Sequence, residues 1–177
     1  MTICRKLCVV LTLGLCALFA NPAGAVPVLW TLTDVVFDDA GSASGSFVYD
    51  ADFGAFSSLS VSTSGGAFGP RDYSDVLTGG ASDALLVSPP ADLTGTPALQ
   101  LIFQAPLTDA GGIVDLASFD PFSSSFEQTC LDAVCSTAAI DRTIVSGGLV
   151  GTVVPLPGGL ALLASALGLL GCTRTRR

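Results

Sequence analysis

Between residues 26 and 152 apolar side chains recur at every second position, and glycine, proline, serine and aspartate interrupt the runs before they reach helical length. Period two marks a strand with one face buried, because successive side chains on a pleated backbone point to opposite sides. "SLSVST", from Ser58 to Thr63, puts Leu59, Val61 and Thr63 on one face and serines on the other. "ALQLIFQ" points Leu99, Leu101 and Phe103 inward and Gln100 and Gln104 outward, and "GSFVYD" alternates Phe47 and Tyr49 with Ser46 and Val48. "VLWTLTDVVF", "ALLVS", "GGIVDLAS" and "DRTIVSGGLVGTVV" read as further strands. No stretch in this region carries a helical stripe. About seven or eight short strands predict an all-β fold, an antiparallel β-sandwich or jelly roll, since a sheet with one apolar face must bury it against another sheet.

The chain has 177 residues, and both ends differ in character from the middle. The expected organisation is a signal peptide over residues 1–25, an exported β domain over 26–152, and a C-terminal signal over 153–177. A domain of about 130 residues buries roughly two thirds of its unfolded surface, enough to fold without a cofactor. All fifteen acidic residues lie in this middle region, with only Arg71 and Arg142 against them, a net charge of −13. Such a domain repels nucleic acid and anionic membrane surfaces.

The N-terminus reads as an export signal. Arg5 and Lys6 precede an apolar run from Leu7 to Ala20, followed by Pro22 and the small residues Ala23, Gly24 and Ala25, so cleavage is expected before Val26. The apolar run is too short for a stable spanning helix. A lipoprotein reading at "LGLC" meets Leu15 where a small residue should precede Cys16. Translocation machinery and signal peptidase are the partners this segment implies.

Cys130 and Cys135 are the only cysteines of the exported region, and an oxidising compartment favours a disulfide between them. Two thiolates in a chain without histidine are too few soft ligands for a metal, and no metal or cofactor is expected. Asp50 to Gly54, "DADFG", reads as a hairpin turn. Its D-x-D-x-G spacing also begins like a calcium loop, without the later ligands and the glutamate such a loop requires. "SFDPFSSSFEQTCLDAVCSTAA" reads as a long serine-rich insertion, whose Phe119, Phe122 and Phe126 either cap the core or offer a surface for sugar rings.

The C-terminus has three parts. Val154, Pro155, Leu156 and Pro157 form a proline motif, residues 158–172 form an uncharged apolar stretch, and Arg174, Arg176 and Arg177 lie in a basic tail over 173–177. The stretch is expected to be a C-terminal transmembrane helix, matching the N-terminal signal helix: fifteen residues span about 22 Å, short of the ~30 Å hydrocarbon core, so it crosses only marginally, by drawing in flanking residues or thinning the bilayer. The arginines act as a membrane stop held on the cytoplasmic side, with the domain outside. The two prolines keep the motif extended, as a protease cleft requires. A Gram-positive sortase signal is a poorer match, since "LPGGL" has Gly159 where threonine is needed. A plain single-pass anchor is the other reading.

This tail resembles the PEP-CTERM class of bacterial sorting signals, specifically the VPLPA-CTERM variant, with Gly158 in place of the usual alanine. The match covers about the last 24 residues. It implies that an exosortase, a membrane-embedded cysteine transpeptidase, recognises Val154 to Pro157 and removes the tail. It further implies a Gram-negative host, a membrane-tethered precursor, a cell-surface or extracellular product, and exopolysaccharide as a partner. "ASGSFVYDADFGAFSSLSVSTSGG" also looks like the middle of exported substrates of this class, a likeness that brings no activity with it.

No enzyme is expected. Without histidine, a serine triad, a zinc site and most general-base arrangements are closed off. A carboxylate-only glycosidase could use two aspartates, or one with Glu127, the sole glutamate, but nothing in the sequence pairs them. The expected function is that of a non-catalytic, exported surface or matrix protein. The alternative is a carbohydrate- or calcium-binding β module.

Overall fold

The computed structural model describes residues 26–88, 92–118 and 124–154. They form ten strands: β1 (Val28–Phe37), β2 (Ser42–Asp50), β3 (Ala55–Ser64), β4 (Arg71–Tyr73), β5 (Asp75–Gly79), β6 (Asp83–Val87), β7 (Pro97–Ile102), β8 (Gly112–Asp115), β9 (Phe126–Cys130) and β10 (Ala138–Val153). Every pairing is antiparallel. The all-β, antiparallel expectation holds, with more strands than the sequence suggested.

The hydrogen-bonded path runs β4-β3-β2-β1-β10-β9-β7-β6-β5, with β8 added against β10. Its two ends, β4 and β5, are consecutive in the chain and separated only by Ser74. The sheet is therefore nearly closed, and the polypeptide itself bridges the gap. The 16-residue β10 makes the turn between the two halves. Its first residues pair with β9, and from Ile144 onward it pairs with β1, while β8 takes the β9 side over Gly148 to Gly151.

Inside the coil, Val28, Trp30 and Phe37 of β1, Phe47 and Tyr49 of β2, Val61 of β3, Leu99 and Leu101 of β7, and Ile144 and Leu149 of β10 are buried together. Phe47 meets Phe103 from the far side with ring centroids 6.4 Å apart, which places the core between the two halves of the sheet. The inward positions expected in "SLSVST", "ALQLIFQ" and "GSFVYD" are the ones observed. In β6, Leu85 and Val87 are also buried on the opposite face, where they pack with Leu93, Ala98 and Cys130. That second cluster lies under the disulfide loop, which is tied to the segment before β7 by hydrogen bonds from Leu93 N–H to Ala133 O and Gly95 N–H to Cys130 O.

One strand breaks the simple alternation. In β1 the inward residues are Val28, Trp30 and Leu32, then Val35 and Phe37. A strict period of two would have put Val36 inside. The phase changes at Asp34, which adopts φ 51°, at an irregularity in the β1–β10 register. A bulge of this kind adds one residue to a strand and so swaps the face of everything after it. Gly147, with φ 127°, sits opposite on β10, and a Cβ there would lie 2.5 Å from the Val35 Cα.

The serine-rich segment is the main correction to the sequence reading. Phe126 to Cys130 is not part of a loop: it forms β9, hydrogen-bonded between β10 and β7. Its inward residue is Glu127 rather than an apolar side chain, so the hydrophobic pattern could not reveal it. Phe119 and Phe122 lie outside the described residues, as do Ala23, Ala25, Pro155, Leu156, Pro157, the apolar stretch over 158–172 and Arg174, Arg176 and Arg177. Among the described residues, no helix is long and apolar enough to cross a membrane.

Gly147→Ala combines a disfavoured φ with a backbone collision, and is expected to cost about 2–4 kcal/mol. Gly69, where a Cβ would meet nothing within 4 Å, supplies the control. Gly69→Ala should stay within about 0.5 kcal/mol of the parent. Urea midpoints of the two variants check the difference.

Candidate functional site

The sequence gives the middle of the chain one glutamate and two arginines, and the fold brings all three together. Glu127 on β9 points into the coil and is wholly buried. Its Oε1 accepts hydrogen bonds from Thr63 Oγ1 of β3 at 2.7 Å and from the Tyr73 hydroxyl of β4. Its Oε2 accepts from Arg142 Nε of β10 and lies 3.4 Å from Arg71 Nη1 of β4. A single carboxylate thus joins β3 and β4 at one end of the sheet to β9 and β10 in its other half.

Each arginine has further partners. Arg142 Nη1 donates to Gly65 O at 2.9 Å and to Asp39 Oδ2, in the β1–β2 turn, at 3.3 Å. Its guanidinium lies over the Phe37 ring at 4.1 Å, where the π face offers partial compensation for lost water. Nη2 has no hydrogen-bond partner among the described residues. Arg71 Nη1 donates to Asp141 Oδ2 at 2.8 Å, and the same oxygen accepts from Thr129 Oγ1 at 2.8 Å.

The electrostatics follow from this geometry. Burial disfavours the Asp39 carboxylate, but the N–H groups of Ala67 and Gly41 and the Arg142 charge outweigh it and hold its carboxyl below the usual range. Burial also works against the Arg71 charge, yet Asp141 and Glu127 keep it more firmly protonated than usual. The Tyr73 phenol is pushed far up, first by burial and then by its bond to Glu127. The only glutamate is therefore screened from solvent and saturated with donors. Its chemistry here is that of a cross-tie between strands.

Two expected features are in place near the ends of β9 and β2. Cys130 and Cys135 form a disulfide with Cα atoms 4.7 Å apart. Within the loop they close, Asp132 accepts from the N–H groups of Val134, Ser136 and Thr137 and from the Ser136 hydroxyl. That Ser136 hydroxyl, followed by the N–H groups, holds the Asp132 carboxyl well below the usual carboxylate range. Asp50 to Gly54 turns β2 into β3: Asp50 Oδ1 accepts from Asp52 N–H at 3.0 Å and Phe53 N–H at 3.3 Å, and Gly54 takes φ 61°. One Asp50 oxygen is thus engaged by the turn itself, and the described residues hold no group of three or more potential metal ligands.

Phe126, expected on a long loop that either caps the core or offers a contact surface, is a half-buried strand residue opposite Gln100 and Thr143. Val26 and Val154, the described members of the two expected processing sites, sit at the same end of the fold. Val28 pairs with Val153, and Val154 N–H donates to Pro27 O at 3.2 Å. The chain thus enters and leaves its sheet on neighbouring strands. Sequence reasoning missed the Glu127 cluster. The available signal was compositional: one glutamate and two arginines in a strand-rich domain where every other charge is aspartate.

No protein-family model, no curated protein and no solved structure matches this chain.

The two tyrosines give the site its pH dependence. Both phenols are raised, Tyr49 by burial and then by Asp50, Tyr73 by burial and then by Glu127. An unfolded tyrosine ionises near pH ~10, whereas both hold the proton more firmly in the folded state. Their contribution to stability is complete below that pH and falls as pH rises through it, because only the unfolded state gains by releasing the proton. Absorbance at 295 nm should therefore show the Tyr73 phenolate only once the protein unfolds, and the Tyr49 phenolate only above the pH at which a free tyrosine ionises. A smooth titration near pH ~10 in protein with native circular dichroism would contradict the burial of these two hydroxyls.

Proposed function

We propose that this chain is an exported, non-catalytic protein of the bacterial cell surface or extracellular matrix. Its β domain is delivered by the N-terminal signal, held briefly at the membrane by the C-terminal segment, and processed by an exosortase-type transpeptidase at Val154 to Pro157. Exopolysaccharide is the proposed extracellular partner. The domain is read as a sandwich in the jelly-roll manner, with β4-β3-β2-β1 opposed to β9-β7-β6-β5 and β10 shared between them.

The observation that most supports this reading is the place where the chain leaves the sheet. Val154 makes a backbone bond to Pro27 at the sheet's end, and the proline motif begins at that same residue. Pro155 and Pro157 have no N–H to extend a ladder, so the sequence itself stops the strand where a protease must find extended chain. The first residue expected after signal cleavage lies beside it. Both processing events then act at one pole of the domain and leave its core untouched.

Two further features favour a structural role over catalysis. The one glutamate is enclosed and fully bonded, away from any substrate. The two arginines of the exported region are both engaged with carboxylates, which leaves a strongly acidic exterior suited to solubility outside the cell and unsuited to nucleic acid. The disulfide fits an oxidising compartment.

Intact mass of the protein recovered from its native cells and medium tests the proposal. A species beginning at Val26 and ending near Pro157 is expected. A mass that still includes Arg177 would make the last segment a standing anchor and overturn the processing half of the reading.

A further inference from the structure

A groove of about 420 Å³ opens where β5 parts from β3. The register explains why it exists. β4 pairs with β3 through Val61–Tyr73, Ser62–Asp72 and Thr63–Arg71, and continuing that ladder would lay β5 along the first half of β3. Instead β5 turns at Ser74, whose N–H donates to Val87 O at 3.2 Å, and pairs with β6. The fork exposes one unpaired side of each strand, and the space between them lies within the ~300–1,000 Å³ range of small-molecule sites.

The lining decides what belongs there. Ser57, Ser58, Ser74, Thr78 and Asp75 are among its lining residues, with Phe56, Leu59, Val76 and Leu77 as the apolar ones, and Asp75 keeps one carboxylate oxygen beyond the one that accepts from Val76 N–H. Phe56 is held by Tyr49 and Phe47, with centroids at 4.8 and 5.4 Å, so its position is fixed by the core. Beside Gly54 at one end of the groove stands Phe53, which is 83% exposed on a turn locked by Asp50. A phenylalanine held in water on a rigid turn carries a hydration cost that folding does not remove, and a stacking ligand would. No cation faces the groove: the two arginines among the described residues are bound to Glu127, Asp39 and Asp141. An anionic ligand has nothing to meet its charge.

An added strand is the other candidate for a pair of unpaired edges. A strand between two others needs them roughly 9.5 Å apart, twice the strand spacing. Cα atoms of β3 and β5 approach within 8 Å over part of their length, which leaves no room there for an inserted strand. A lining rich in hydroxyl residues around one aromatic residue, with a second aromatic exposed on the adjoining turn, suits instead a ligand that is itself hydroxyl-rich and flat-faced.

We propose that the β3–β5 groove binds a neutral glycan, with Phe53 stacking on a sugar ring and Asp75 and the serine hydroxyls exchanging hydrogen bonds with its hydroxyl groups. This gives the extracellular reading a ligand class and a place to hold it, and rests on that reading only for the availability of polysaccharide.

The test is calorimetric titration of the full chain in mild detergent with cellohexaose, maltohexaose and β-1,4-mannohexaose. Hexaguluronate serves as the anionic probe and a Ser-Val alternating hexapeptide as the strand probe. At least one neutral hexaose should bind saturably below millimolar concentration. Phe53→Ala and Asp75→Asn should each weaken it by about tenfold or more, a loss of about 1.4 kcal/mol. Both positions are exposed, and circular dichroism confirms that the variants remain folded. The proposal is overturned if no neutral hexaose saturates, if neither variant changes the affinity, or if hexaguluronate or the peptide binds in preference. Titration is independent of processing, so a retained tail with glycan binding would sink the processing half of that reading and leave the groove standing.

Discussion

The buried pair of Glu127 and Arg142 is the constraint on which the closed sheet depends. Bringing two ions out of water costs several kcal/mol each, and a low-dielectric interior returns that only when the geometry supplies further hydrogen bonds. Here it does: Thr63 and Tyr73 complete the carboxylate, while Gly65, Asp39 and the Phe37 ring attend the guanidinium. The partners come from β3, β4, β9, β10 and the β1–β2 turn, so the network forms only when both ends of the sheet have arrived. β4 has three residues and little apolar surface of its own. Arg71 and Tyr73, reaching inward to Glu127, give it a fixed seat.

That seat determines the form of the β3–β5 groove. With β4 held against β3 and Glu127, the chain must leave at Ser74, and β5 is drawn toward β6 by its own ladder. The groove is the space left by that departure. Its walls are strand residues bonded on one side, and its end is a turn fixed by Asp50, so it is preformed by the same closure that buries the ions. Meanwhile the long β10 carries the chain from the disulfide loop to Val153, back beside the residue where the domain starts. The proposed groove and the described end of the proposed processing motif are thereby both carried by strands of one sheet.

Much of this architecture was legible because alternating side chains declare their face. Leu59, Val61 and Thr63, like Leu99, Leu101 and Phe103, behave as a half-buried surface demands, and the Asp50 turn and Cys130–Cys135 disulfide follow from local chemistry. Hydrophobic pattern could not find β9, because its inward side chain is a charge whose partners lie on other strands. It could not find the phase change at Asp34 either, since a bulge is set by the backbone and by Gly147 across the ladder. The count of strands was low for a related reason: β4 is a three-residue element defined by what it touches. The closure of the sheet through Ser74 has no local signature at all. The same limit hid the groove, whose walls are read one strand at a time in the sequence and meet only through the β4–β5 departure.

A double-mutant cycle on Glu127 and Arg142, followed by urea unfolding of the full chain, bears most directly on the central interaction. Glu127→Leu and Arg142→Met should each cost about 3–5 kcal/mol, because each leaves a buried charge with only its more distant ionic partner, Asp39 for Arg142 and Arg71 for Glu127. The double variant should cost less than the sum by about 2 kcal/mol or more. A double variant that folds where the single ones do not is the same result in stronger form. Additive losses across the cycle would contradict the claim that this pair closes the sheet.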